Sequence, residues 1–133
     1  IWDLQKGVRI HALYDPTVFN SVCYHPDESQ YITGSANHKI GFWDAYDGSP
    51  IRFITGGEAD ITSLDIHSSG TYFVRGGADQ RVNLWHYDNG QLVGSGKGHS
   101  GKISQVAFSP DQQTIVSVGA EGGIFLWDVS VSI

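Results

Sequence analysis

Four tryptophans, Trp2, Trp43, Trp85 and Trp127, are the only ones in the chain, and they stand 41, 42 and 42 residues apart. A fixed period near 42 marks a repeat architecture, in which each unit is one supersecondary module that buries its faces on its neighbours. The text around each tryptophan is alike: IWDL at 1–4, KIGFWD at 39–44, RVNLWHY at 81–87 and GIFLWDV at 123–129. Each is a short run of β-favouring residues, and three of the four carry Trp-Asp.

Composition narrows the class. The 133 residues suffice for one small domain, and 40% hydrophobic with 17% charged content suits a folded chain. Seventeen glycines without a collagen period point to many tight turns, as an all-β chain needs. The net charge of −6 argues against nucleic acid or an anionic membrane as partner, since both call for a basic surface. The lone Cys23 excludes an intrachain disulfide and favours a reducing compartment. No apolar run approaches the roughly 20 residues of a membrane helix, and the N-terminus lacks a basic-then-apolar signal. A start at Ile1, in a chain without methionine, is expected of a piece of something longer.

Counting back from the tryptophans aligns the repeats without gaps. A first strand is expected at Phe19–His25, Ile61–His67 and Ile103–Ser109, with Val22, Leu64 and Val106, then Tyr24, Ile66 and Phe108, at matched positions. Residues two apart share a strand face, so these pairs predict one buried face used three times. Turns follow at His25-Pro26-Asp27, Ser68-Ser69-Gly70 and Ser109-Pro110-Asp111. Second strands are expected over Tyr31–Thr33, Tyr72–Val74 and Thr114–Val118, then polar hairpins with Asn37, Asp79 and Glu121 in register. Beyond the tryptophan strand, Gly7, Asp47-Gly48 and Asn89-Gly90 predict a second hairpin. Fourth strands follow over Val8–Leu13, Ile51–Thr55 and Gln91–Ser95. Each repeat is thus a four-stranded antiparallel meander, with no helix pattern and no linker.

With Trp2-Asp3, Trp43-Asp44 and Trp127-Asp128 as repeat markers, Trp85 in the same register, and Gly98-His99 opening the last repeat, the whole chain resembles the WD-repeat (WD40) β-propeller family. The resemblance implies an all-β, partial propeller of about three blades. In the family's phase the tryptophan lies on a blade's third strand. Residues 1–16 are then the last strands of one blade, 17–56 and 57–97 two blades, and 98–133 an incomplete final blade. The family's habit of closing the ring with a strand from the N-terminal end implies the remaining blades of the same propeller as partners. VCYHPDE (22–28), DGSPIR (47–52), GKGHSGKI (96–103) and IVSVGAEGGIFLW (115–127) resemble, more narrowly, the C-terminal repeats of a ciliary WD-repeat family.

That resemblance also implies a structural network of His99, Ser117, Glu121 and Trp127. In the family the histidine bonds the serine and a turn aspartate, and the serine bonds the indole N–H. Here Glu121 replaces the aspartate. The other repeats depart further, with Asp15 and Gly57 at the histidine position and Thr33 and Arg75 at the serine position, so at most one repeat holds the full set. Read as chemistry, His99, Ser117 and Glu121 imitate a hydrolase, yet no activated nucleophile or oxyanion hole is apparent. No catalytic residue is expected, and the chain reads as no enzyme.

Gly96 and Gly101-Lys102 have the spacing of a phosphate loop, but Ile103 stands where Ser or Thr is needed and a strand follows where the chemistry needs a helix N-terminus. Six histidines form no H-x-x-x-H pair, and His25 and His67 fall on different blades, so no metal site and no cofactor are expected. They read as scattered surface or turn residues. Cys23, aligned with Asp65 and Ala107, reads as a small filler. Of the aromatics Tyr14, Phe19, Tyr46 and Tyr87, Phe19 is expected to pack between blades, and Tyr46 and Tyr87 are the better interface anchors. The loops at Asp15-Pro16 and Gly57-Glu58 are further docking candidates.

The function that the resemblance implies is a non-catalytic scaffold inside ciliary or flagellar doublet microtubules. Its location would be the axoneme and cytoskeleton, its partners tubulin and inner-junction proteins. The alternative is a general cytoplasmic adaptor for complex assembly.

Overall fold

The computed structural model describes residues 2, 3, 5, 7–9 and 17–129, and of residues 2, 3, 8 and 9 only the backbone. Tyr14, the Asp15-Pro16 loop, the strand beyond Arg9 and the side chains of Trp2 and Asp3 lie outside what is described.

The described residues form an all-β array without a helix. β1 (Trp2–Asp3) and β2 (Val8–Arg9) pair antiparallel. β3 (Phe19–Tyr24), β4 (Gln30–Ser35), β5 (Lys39–Asp44) and β6 (Pro50–Thr55) form a four-stranded meander. β7 (Ile61–Ile66), β8 (Tyr72–Gly77), β9 (Arg81–His86) and β10 (Leu92–Lys97) repeat it. β11 (Ile103–Phe108), β12 (Thr114–Gly119) and β13 (Ile124–Asp128) give three strands of another. These are three antiparallel sheets in the manner of WD40 blades.

Each first strand bulges at one repeat position, between Phe19 and Ser21, Ile61 and Ser63, and Ile103 and Gln105. Such a bulge strengthens the local twist. At the outer hairpins Gly48 and Gly90 take positive φ, 75° and 67°, as Asp-Gly and Asn-Gly turns require. At the other hairpins the left-handed residue is the one after the expected Asn37 and Asp79: His38 and Gln80, each at 68°. Asn37 and Asp79 serve instead by accepting main-chain N–H bonds from Lys39 and Arg81, each at 3.2 Å.

The three large sheets stack face to face, always the same face of one on the opposite face of the next. Ile32, Ile40 and Phe42 of the first sheet meet Ile61, Leu64, Phe73 and Trp85 of the second. Val74, Val82 and Leu84, from the second sheet's other face, meet Val106, Phe108 and Ile115 of the third. Burying side chains of this size stabilises the stack by about 1.5–3 kcal/mol each. Polar bonds recur across the junctions: Asn20 Nδ2 donates to the Ile61 carbonyl at 3.0 Å, and Thr62 Oγ1, 42 residues on, donates to the Ile103 carbonyl.

The face expected to be buried three times is buried twice. Leu64, Ile66, Val106 and Phe108 are covered, but Val22 is 64% and Tyr24 53% exposed. The cause is that burial here comes from the neighbouring sheet and not from the strand's own pattern. Ile124 and Leu126 show the same on the opposite face of the third sheet, at 70% and 72% exposure, where the matched Ile40, Val82, Phe42 and Leu84 are buried. Phe19 likewise stays partly exposed and packs edge-on against Trp43 of its own sheet, at 6.3 Å, rather than between sheets.

Candidate functional site

The turn that follows β12 brings the third sheet's polar set together. His99 lies in the β10–β11 loop, Ser117 in β12 and Glu121 in the hairpin before β13, and all three meet behind Trp127. His99 Nε2 is 2.7 Å from Ser117 Oγ and its Nδ1 is 2.9 Å from Glu121 Oε1. The Trp127 indole N–H donates to Ser117 Oγ at 2.8 Å. With the Nδ1–H donating to the carboxylate, Nε2 accepts a hydrogen bond from the serine hydroxyl, and the imidazole stacks on Phe125 at 4.2 Å. Glu121 reaches His99 despite its extra methylene because it folds back over Gly119. A Cβ there would meet Glu121 Oε1 at 1.7 Å.

This is the connectivity of a Ser–His–carboxylate hydrolase, without the access. Ser117 is wholly buried and its oxygen already receives the indole N–H. A nucleophile needs an open approach for a substrate carbonyl. The carboxylate has other work too. The Ser100 and Gly101 N–H groups donate to Glu121 Oε2 at 2.7 and 3.2 Å. The glycine-rich loop that imitates a phosphate site is therefore an anion-binding turn, and the anion it holds is the chain's own glutamate. Desolvation raises the Glu121 pKa, but bonds from His99 and these two N–H groups outweigh it and hold the carboxyl below its usual range.

The second sheet builds the same corner differently. Arg75, at the serine position, is 1% exposed. Its Nη1 and Nη2 donate to the two oxygens of Asp79 at 2.7 and 2.8 Å. With its amide oxygen turned to Arg75, Asn83 accepts from Nε at 3.2 Å and Nη2 at 2.7 Å, and its amide nitrogen donates to Ser95 Oγ at 2.7 Å. The guanidinium occupies the room a histidine would take. A Cβ on Gly57 would come within 2.4 Å of Nη2. No hydroxyl remains for the tryptophan, and Trp85 Nε1 has no protein partner among the described residues. Burial raises the Asp79 pKa, and the hydrogen bonds and charge of Arg75 more than reverse it.

The first sheet is intermediate. Thr33 stands for the serine and accepts the Trp43 indole N–H at 2.9 Å. Asn37 takes a bond from Ser35 Oγ, which also donates to the Lys39 carbonyl at 3.1 Å.

Among the interface candidates the structure separates two tyrosines that the sequence treats alike. Tyr46 is 93% exposed on its hairpin. Tyr87 is 4% exposed, wedged between Phe42, Phe73 and His25, with its hydroxyl donating to Gln30 Oε1 at 2.9 Å. Burial pushes its pKa up to about 12. It is a core residue, because the next hairpin packs down on the preceding sheet. Arg52 is spent at the same junction. It lies 4.1 Å over the Phe42 ring and donates to the carbonyls of Tyr87 and Asp88.

The histidines are not all surface residues. His99 is buried, and His25 fits the junction between the first two sheets, its Nε2 3.0 Å from the Gly70 carbonyl. No group of three or more His, Cys, Asp or Glu among the described residues has metal-site geometry. Cys23 is half-buried against the first junction, and burial raises its thiol pKa. Gly57 lies beneath Arg75, whereas Glu58 beside it lines an open depression with Arg81. The Arg75–Asp79 pair was missed in the sequence. Its signal was an arginine at a serine position, four residues before an aspartate, in the repeat whose histidine is a glycine.

Comparison with known proteins agrees with the repeat. The family profile "WD domain, G-beta repeat" matches residues 7–44, 48–86 and 90–128. Over 129 residues the chain is 48% identical to cilia- and flagella-associated protein 52 of Chlamydomonas reinhardtii, covering 96% of this chain and 21% of that protein. The human protein of that name is 42% identical over 128 residues, with 96% and 21% covered. WD repeat and SOCS box-containing protein 1 of Xenopus tropicalis is 30% identical over 134 residues, with 97% and 32% covered. The chain thus spans about a fifth of the length of the ciliary relatives, 21%.

Proposed function

The chain belongs to the WD-repeat family, and from that premise we propose that it acts by binding alone, as part of a scaffold within the doublet microtubules of a ciliary or flagellar axoneme. The observation that carries this is the stack itself: rigid sheets packed in one repeated manner, with one apolar face left open at either end, at Val22 and Tyr24 and at Ile124 and Leu126. Such a stack is a stiff surface, and its open faces suit the remaining blades of the same propeller, joined head to tail as the described sheets are. The kinship with cilia- and flagella-associated protein 52 supports the ciliary setting. Tubulin and neighbouring inner-junction proteins are the partners proposed. The enclosed Ser117 supports a non-catalytic role.

With a net charge of −6, attraction to an acidic microtubule wall does not hold the chain in place. Surface ion pairs are weak singly and screened beyond about 8 Å at physiological salt. Retention then rests on many contacts and on enclosure. The test is to wash axonemes from a ciliated source with rising salt while following the protein. Retention beyond the point where outer-surface proteins leave supports this reading. Release at moderate salt, or a mainly cytosolic pool, replaces it with the adaptor reading.

A further inference from the structure

At both junctions between the large sheets, one isoleucine is pressed into a seat that only glycine leaves open. Ile61 and Ile103, beside the bulges at the start of β7 and β11, are wholly buried. Ile61 lies over Gly34 of β4, and Ile103 over Gly76 of β8. A Cβ on Gly34 would meet Ile61 Cγ2 at 2.3 Å and Ile61 Cβ at 2.9 Å, and a Cβ on Gly76 would meet Ile103 Cγ2 at 2.5 Å. Each isoleucine therefore needs bare backbone beneath it.

The third sheet breaks the series. Val118 of β12 stands 42 residues after Gly76, which stands 42 after Gly34. The register is unchanged, with Gly34 opposite Ile40, Gly76 opposite Val82 and Val118 opposite Ile124. Residues directly opposite share a face, so Val118 stands with Ile124. Two positions away on each strand, Val116 and Leu126 join them. The matched Ile32, Ile40, Phe42, Val74, Val82 and Leu84 are the buried side of the two existing junctions. On the third sheet Val116 and Val118 are half-buried, and Ile124 and Leu126 are exposed. This face has the apolar surface of a junction, but its glycine seat is filled.

A sheet laid on this face has little freedom to stand off from the valine. At the existing junctions Asn20 and Thr62 fix the approach by donating to the carbonyls of Ile61 and Ile103. Ser104, next in that series, is exposed and brings a hydroxyl to the same position on the third sheet. Its bond to the incoming strand would hold that strand as close as the others.

We propose that this face is a keyed junction. Its occupant is a further four-stranded module of the full-length protein, with glycine, alanine or serine where β7 and β11 carry Ile61 and Ile103. Continuity with the two existing junctions makes the occupant a sheet, and Val118 decides which sheet. Phe19, Ile61 and Ile103 are all too large for it, so a module built like the three described here is turned away. A clash of this kind gives specificity without adding affinity. The proposal rests on the scaffold reading, whose remaining blades it selects among.

The test uses the full-length protein with a photoreactive diazirine analogue of leucine at position 126, and mass spectrometry of the cross-linked peptides. The expected cross-link lies within one chain and reaches the first strand of another repeat. The residue of that repeat aligned with Ile61 is then glycine, alanine or serine. A cross-link to a repeat with any larger residue there, a cross-link to a separate protein, or a diazirine that captures only water overturns the proposal. Enlarging the small residue so found to isoleucine should lower the unfolding midpoint by several degrees, as overpacking does. Adding Val118→Gly should restore most of the loss, because the seat then matches those at Gly34 and Gly76. Where the enlarged variant does not fold, the double variant still should, and failure of the rescue also overturns the proposal. None of these outcomes bears on retention by washed axonemes, so the scaffold reading stands or falls separately.

Discussion

The second and third sheets solve one problem with different chemistry. Both must fill the corner where the incoming loop, the second strand and the hairpin before the tryptophan strand converge. The third sheet uses a relay, His99 between Ser117 and the Glu121 carboxylate, with the indole of Trp127 tied in. The second uses a buried cation, Arg75, locked to Asp79 and Asn83, and leaves Trp85 out. The charged member of the relay, the Glu121 carboxylate, sits at its partly exposed end, where two loop N–H groups also hold it, so no charge is fully buried. A buried guanidinium is tolerated only when every donor is met, and removing its partner costs far more than the pair contributes. The corner is therefore a volume to be filled with satisfied polar atoms, not a fixed set of residue types.

The largest expected effect follows from that difference. Asp79→Ala leaves Arg75 charged and buried, and should destabilise the protein by about 3–5 kcal/mol in denaturant unfolding. Glu121→Ala, which uncovers an imidazole and two loop N–H groups but no buried guanidinium, should cost clearly less. Equal losses would mean that the two corners are electrically alike.

A smaller effect is steric. Gly57→Ala sets a methyl against the Arg75 guanidinium, 2.4 Å from Nη2, at a φ of +151°. Overpacking of this kind costs about 1–3 kcal/mol. In an Arg75→Ser background the clash is gone and only the backbone strain remains. The double-mutant cycle should then show a coupling of about 0.5–3 kcal/mol, and a coupling near zero would break the claim that the glycine exists to seat the arginine.

Trp→Phe at each repeat sharpens the comparison further. At Trp43 and Trp127 the change loses an indole bond, worth about 0.5–1.5 kcal/mol net, to Thr33 or Ser117. At Trp85 it removes a buried donor without a protein partner among the described residues, so the cost should be lower than at the other two. A Trp85→Phe penalty as large as the others would argue for a partner that the indole N–H finds elsewhere.

The smallest effect is on acid stability. Asp79 and Glu121 both have folded pKa values below their ordinary ones. A depressed carboxyl contributes stability that is present above its unfolded pKa and fades as pH falls through the folded one. Unfolding free energy should decline as pH drops below the ordinary carboxylate range. Arg75→Met should flatten that slope, since it removes the groups that depress Asp79. An unchanged slope would place the acid sensitivity on other carboxylates, such as Asp27 or Asp111, which are also depressed by bonds to neighbouring serines.

What the sequence determined by itself was whatever nearby residues decide. The 42-residue period, the strand order and the outer turns at Gly48 and Gly90 depend on alternation and turn chemistry within a few residues, and those are legible in one dimension. His99, Ser117, Glu121 and Trp127 were legible only through resemblance to a known repeat, because nothing local joins residues 28 positions apart at the extremes. Tertiary structure decided the rest. Val22 and Leu64 occupy matched positions, yet one is exposed and the other buried, since burial depends on whether another sheet lies against that face. Tyr87 became core while Tyr46 stayed in solvent for the same reason. Arg75 could be read as an intruder at a serine position until the space above Gly57 showed where its guanidinium goes. In a stack of sheets each side chain's surroundings are supplied by residues about one repeat away, so its role is set by packing between repeats.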